Sequence, residues 1–170
     1  MDRQTALLGE EVPLSDNPAK QLASELLNKT VVVVSGGIFT GVGRRWKSQF
    51  NENSKIWAFF EELPELLHNT VEAFAVRLDG GLDPGVVLLQ PETANSNLVE
   101  RYAVTVELLK TGGVPFRLIA AAAGSPLTQM LAMLSFGDWT SYYLALLRGA
   151  EPSATPAIEL GKETLALLRK

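Results

Sequence analysis

Residues 31–43 read VVVVSGGIFTGVG, and the fold is decided here. Four consecutive β-branched residues closed by Ser35 and two glycines describe a short strand that is apolar on both faces, as in the interior of a parallel sheet. The glycine-rich turn then leads into a helix through Arg44, Arg45, Trp46 and Gln49. Upstream, Asn17-Pro18 supplies an N-cap followed by proline at the first helical position, which predicts a helix to about Asn28. Downstream, an apolar strand is expected at 56–60 and another at 86–90 (VVLLQ), reached through the turn-rich DGGLDPG.

The second half continues the alternation. Residues 95–109 carry Leu98, Tyr102, Val106 and Leu109 at helical spacing, and a strand is expected at 116–121. Ser125-Pro126 caps a long helix to about Leu147, with Gly137 as a point of interruption, and Thr155-Pro156 caps the last helix. On that helix system Trp139, Tyr143 and Leu146 fall on one face, expected to be buried. Strands alternating with helices predict an α/β fold, a three-layer α/β/α sandwich with a parallel sheet covered on both faces. Such a sheet places its ligand crevice beyond the carboxyl ends of the strands. The loops after Val34 and Phe60 are expected there, so Gly36, Glu52 and His68 are expected to converge.

Composition excludes several function classes. At 170 residues the chain fits one domain, able to bury about 70% of the surface its unfolded form exposes. The formal charge of -4 offers no basic footprint, so no nucleic-acid partner is expected. No apolar run approaches the roughly 20 residues of a membrane span, and the N-terminus has neither a basic start nor a long apolar stretch, so the expected location is cytoplasmic. With no cysteine and a single histidine there is no thiolate zinc site and no histidine-rich cluster. The chemistry is expected to be metal-free and to need no cofactor, with an all-carboxylate magnesium site as the one alternative the composition leaves open.

The residues that carry chemistry lie between Arg44 and Asn69. Glu52 stands between Asn51 and Asn53 where a helix should end, sixteen positions before His68, the only histidine. Taken alone, Glu52 reads as an ordinary solvated carboxylate and His68 as a capping or hydrogen-bonded residue. Together they offer a carboxylate base and a near-neutral imidazole, a pair suited to proton-transfer chemistry. GGIFTGVG invites a phosphate-cradle reading, yet it has neither GxGxxG spacing nor a following Gly-Lys-Ser/Thr, and a tight strand-to-helix turn explains it equally well.

The stretch Arg45-Trp46-Lys47-Ser48-Gln49, then Asn51-Glu52-Asn53, then Pro64-Glu65-Leu66-Leu67-His68-Asn69 resembles the bifunctional phosphoglucose/phosphomannose isomerases of bacteria and archaea. The likeness covers most of the chain, from residues 12–27 through GDWTSYYLALL (137–147) to the C-terminus. It implies a five-stranded, mostly parallel, flavodoxin-like sheet, the sugar isomerase (SIS) domain, with residues 17–170 as one such domain and 1–16 as an extension or inter-domain segment. It implies aldose-ketose isomerisation of hexose 6-phosphates through an enediol. By match to the family's motifs, Glu52 is the base, His68 assists ring opening from the neighbouring subunit, and Lys162 helps in ring opening or substrate contact. Gly36 and Thr155 line the sugar, and Arg45 contacts phosphate.

The resemblance also implies partners. A histidine supplied in trans implies a homodimer, and the family's serine- and threonine-rich phosphate-binding loop belongs to a first SIS domain that this sequence lacks. The expectation is therefore a C-terminal half that needs a separate phosphate-binding SIS domain for full activity on a sugar phosphate. The competing expectation is a non-catalytic module that binds sugar phosphates or serves dimerisation.

Overall fold

The computed structural model describes residues 6–75 and 82–169. Four strands, β1 (Thr30–Ser35), β2 (Ala58–Glu62), β3 (Pro84–Gln90) and β4 (Phe116–Ala120), form one sheet in the order β2-β1-β3-β4, parallel throughout. The helices are α1 (Pro18–Glu25), α2 (Thr40–Glu52), a single turn α3 (Glu72–Ala75), α4 (Ser96–Thr111), α5 (Pro126–Leu147) and α6 (Pro156–Leu168). The architecture is the expected α/β sandwich, with four strands among the described residues where five were expected. After β4 the chain enters α5 and then α6 without returning to the sheet, so β4 is an edge.

Strand alternation divides the core into two layers. Val31 and Val33 of β1, with Val87 and Leu89 of β3, face α1, α2 and α5 and pack with Leu22, Trp46, Phe50, Met133 and Leu144. Val34, Val86 and Leu88 face the other way, onto Tyr102 and Leu109 of α4. Burying each such side chain contributes about 1.5–3 kcal/mol, which is why β1, paired on both edges, is fixed as the interior strand.

Local chemistry sets the helix ends. Asn17 accepts from the backbone N–H groups of Ala19 (3.0 Å) and Lys20 (3.1 Å) while its amide donates to Leu8 O (2.9 Å) and Gly9 O (3.1 Å), folding residues 8–9 onto the domain. Leu8 is fully buried there and accepts from the Tyr143 hydroxyl at 2.6 Å. Helix α1 stops at Glu25 rather than near Asn28, because Asn28 takes φ 64°, the left-handed conformation that asparagine tolerates and that turns the chain into β1. Ser125 caps α5 as expected, accepting from Thr128 N (3.2 Å), and Asn95, which the sequence reading placed at the start of the helical stretch without a capping role, caps α4 by accepting from Leu98 N (2.9 Å).

Four further sequence expectations need correction. Gly137 does not interrupt α5, which runs unbroken through it. Strand β2 begins two residues late, since Asn51 Nδ2 donates to Ile56 O at 2.8 Å and holds that residue in the turn. Thr155 occupies the N-cap position of α6 but its side chain makes no capping bond. Leu146 is 52% exposed, whereas Tyr143 is buried and stacks on the half-buried Trp139 with centroids 5.5 Å apart, so only part of the expected face is covered. The first part of the DGGLDPG turn, residues 79–81, lies outside the described residues.

Candidate active site

Helix α2 leaves the carboxyl end of β1 and returns along the sheet, so its last residue, Glu52, lies at the amino end of the strands. It is held there by its neighbours. Trp46, fully buried, donates from Nε1 to Met133 O at 2.8 Å, and Gln49 donates to Asp138 Oδ1 at 2.6 Å. Asn53 Nδ2 donates to Ser141 Oγ at 2.9 Å, and the buried Ser54 hydroxyl donates to Ser141 O at 2.7 Å. These bonds clamp the end of α2 onto α5 and leave the Glu52 side chain exposed. The amides flanking Glu52 are thus structural anchors: Asn51 ties to Ile56 and Asn53 to α5.

Lys55 extends the arrangement. It has φ 55°, an uncommon backbone conformation for a side-chain-bearing residue, and its ammonium donates to Glu52 O and, at 2.7 Å, to Ala154 O. It therefore joins the end of α2 to the residue before Thr155. Thr155 is half-buried, and Lys162 is exposed two turns farther along α6, about 10 Å of helix rise. Glu52 and the start of α6 are brought to the same end of the molecule by this lysine, which sequence reasoning did not single out. Its left-handed backbone leaves no sequence signature.

Gly36 and His68 are at the other end. Gly36 follows β1, where its N–H donates to the Tyr102 hydroxyl at 3.0 Å, and that hydroxyl donates to Leu89 O at 2.5 Å. A Cβ on Gly36 would lie 3.0 Å from Leu98 Cδ1 and 3.1 Å from Leu63 O, so the glycine permits close packing at the strand end. His68 closes the 3-10 turn Glu65–His68 after β2 and is exposed. Arg45 is exposed on α2.

The expected convergence of Gly36, Glu52 and His68 is overturned within one chain. Thirteen residues of α2 span about 20 Å, and β2 returns the chain over its own length before His68 is reached. Glu52 and His68 stand at opposite ends of the same strand. Sequence position could not show this, because a helix antiparallel to its strands sends its last residue to the far edge. Among the described residues no three His, Asp or Glu side chains converge as a metal ligand set would.

One family model matches residues 15–165, which include all four strands and most of α6: the bacterial phospho-glucose isomerase C-terminal SIS domain. This chain belongs to that SIS-domain family. The bifunctional phosphoglucose/phosphomannose isomerase of Thermoplasma volcanium is 30% identical over 158 residues, 92% of this chain and 50% of that protein. The enzyme of the same name from Caldicellulosiruptor bescii is 32% identical over 161 residues, 94% of this chain and 47% of that one. A crystal structure of a glucose-6-phosphate isomerase like protein from Thermus thermophilus superposes with a TM-score of 0.69 at 30% identity, over 88% of this chain and 48% of that one. The tagatose-6-phosphate ketose/aldose isomerase of Escherichia coli shares the fold, with a TM-score of 0.62 at 16% identity over 91% of this chain and 44% of that one. This SIS domain spans about half the length of the relatives it matches. No helix among its described residues is long and apolar enough to cross a membrane.

Proposed function

We propose that this SIS domain supplies the acid-base residues of an aldose-ketose isomerase acting on hexose 6-phosphates, interconverting glucose 6-phosphate or mannose 6-phosphate with fructose 6-phosphate. The observation that carries the reading is Glu52, an exposed carboxylate at the end of a helix clamped by Gln49, Asn53 and Ser54 onto α5. A base must be held still to take a proton from carbon, and this one rests on a rigid helix pair.

Glu52 removes the proton from C2 of the open-chain aldose, giving an enediol, and returns it to C1. The hydroxyl proton passes from O2 to O1, so the carbonyl moves to C2 with no net gain or loss. Lys162 and Thr155, on the segment that Lys55 ties to Glu52, contact the sugar near C1 and C2. His68 opens the ring by moving a proton to the ring oxygen. Since His68 and Glu52 lie at opposite ends of β2, the histidine that serves one Glu52 comes from a second copy of the chain. Gly36 shares the His68 end of the sheet, so its contact to the sugar likewise comes from the second copy; Arg45 contacts phosphate, and the main phosphate anchor comes from a separate first SIS domain.

Gly36 gives the competing reading its support: the space beside it is filled by Leu98 and Leu63 rather than open to a sugar. In that reading the chain binds or dimerises without catalysis. The deciding experiment supplies the first SIS domain of a phosphoglucose/phosphomannose isomerase in trans and measures turnover in a coupled assay. Activity is expected in the mixture, and Glu52→Gln, which keeps the shape and removes the base, is expected to lower it by about two to four orders of magnitude. Turnover unchanged by Glu52→Gln refutes the catalytic assignment.

A further inference from the structure

We propose that Arg148 is a further catalytic residue, the group that holds the enediolate formed beside Glu52; the role rests on the reading of Glu52 as the base. Arg148 stands at the C-terminal end of α5. Its Nε donates to Ser54 O at 3.2 Å, and Ser54 is itself buried, with its hydroxyl on Ser141 O at 2.7 Å. Ser54 is the second residue after Glu52, so the guanidinium is tied to a backbone point at most about 7 Å along the chain from the base. The backbone of the arginine is fixed as well. Its N–H bonds to Leu144 O and Ala145 O, Gly149 follows at φ 66°, and Ala150 N returns to Ala145 O at 2.9 Å, a helix end that glycine permits.

The Nη groups of this anchored arginine are uncommitted. Arg148 is exposed and takes part in none of the ion pairs among the described residues. The acid nearest to it in sequence, Glu151, is turned onto its own loop. That carboxylate accepts from the Ser153 hydroxyl at 2.5 Å and the Ser153 N–H at 3.0 Å, which hold it below the usual carboxylate range. Lys55, the other cation beside the end of α2, is committed to Glu52 O and Ala154 O. A cation at the end of α5 also complements the helix dipole, but that needs charge alone, and a lysine supplies it equally. What arginine adds is a planar fork of donors.

The fork matches the intermediate. When Glu52 takes the proton from C2, the C2–H electron pair becomes the C1–C2 double bond and the carbonyl pair moves to O1, which takes the negative charge. O1 and O2 of a cis-enediolate lie side by side in one plane, as the two oxygens of a carboxylate do, and a guanidinium meets such a pair with two parallel N–H bonds. Donors placed there stabilise charge that the open-chain aldose does not yet carry. Arg148 gives up no proton: the O2 proton passes to O1, and Glu52 returns its own to C1.

Steady-state kinetics on the chain mixed with a first SIS domain tests the assignment. Arg148→Lys is expected to keep the thermal transition and to lower kcat by about 10²-fold with KM little changed, the pattern of a contact made only in the transition state. Arg148→Ala is expected to recover part of its turnover when millimolar guanidinium is added, whereas Glu52→Gln does not respond. Wild-type turnover in Arg148→Lys, a loss carried by KM alone, or no recovery of Arg148→Ala with guanidinium overturns the proposal, and a continued dependence on Glu52 then leaves the reading of the base intact. A mixture that is inactive, or indifferent to Glu52→Gln, refutes that reading and the role of Arg148 with it.

Discussion

The indole of Trp46 lies against Gly137 so closely that a Cβ added to the glycine would stand 2.3 Å from Nε1 and 2.5 Å from Cε2. This is where α2 meets α5, and the same pair of helices carries the anchors of Glu52. Trp46 also packs edge-on to Phe50 at 6.0 Å, and its Nε1 is committed to Met133 O. The indole therefore has no direction in which to yield.

Gly137→Ala is expected to destabilise the domain by about 1–3 kcal/mol or more, the usual cost of overpacking a core, although alanine favours helix. Urea denaturation read by tryptophan fluorescence checks this. In the reconstituted enzyme turnover should fall as well, since the displaced α2 carries Glu52.

Lys55→Met removes the ammonium that holds Ala154 O and Glu52 O and keeps most of the stem. The substitution is expected to lower turnover several-fold in the reconstituted enzyme with only a small loss of stability, because the group is exposed and its bonds are surface bonds. Steady-state kinetics alongside thermal denaturation separates the two effects.

His68→Ala is expected to slow conversion of cyclic substrate by about 10²-fold or more and to spare an open-chain analogue. The ring-opening step needs the imidazole, and the enediol step needs only Glu52. Equal losses on both substrates would assign His68 a structural role.

Burial pushes the Tyr102 hydroxyl well above the ordinary tyrosine value, and its bond with the Gly36 N–H only partly offsets this. In the unfolded chain the group ionises near pH 10, while in the folded domain it keeps its proton to higher pH. The contribution to stability is thus complete below pH 10 and is lost as pH rises towards the folded value, with a slope of up to about 1.4 kcal/mol per pH unit. Tyr102→Phe should flatten that alkaline decline and cost stability at pH 7, where Gly36 N–H and Leu89 O lose their shared partner. Denaturant titrations between pH 8 and 11 measure both.

The sequence by itself determined the element order, the interior position of β1 and the family. These are written in short-range patterns: the valine run, the caps at Asn17 and Ser125, and the Trp46 to Asn53 motif. Glu52 and His68 were also legible as residues with chemistry. Their relation was not. Whether two residues sixteen apart meet depends on the direction in which the intervening helix and strand run, and α2 antiparallel to β1 and β2 sets them at opposite ends of the sheet. Lys55, whose reach to Ala154 joins Glu52 to α6, was hidden because a left-handed backbone at a lysine is imposed by the surrounding fold. Trp57 and Phe59 lay within a stretch legible in sequence only as an apolar strand, and the sheet order revealed that β2 is an edge and that both side chains stay exposed. Local patterns act over a few residues, whereas edges, ends and close approaches such as Trp46 on Gly137 exist only once the layers have packed.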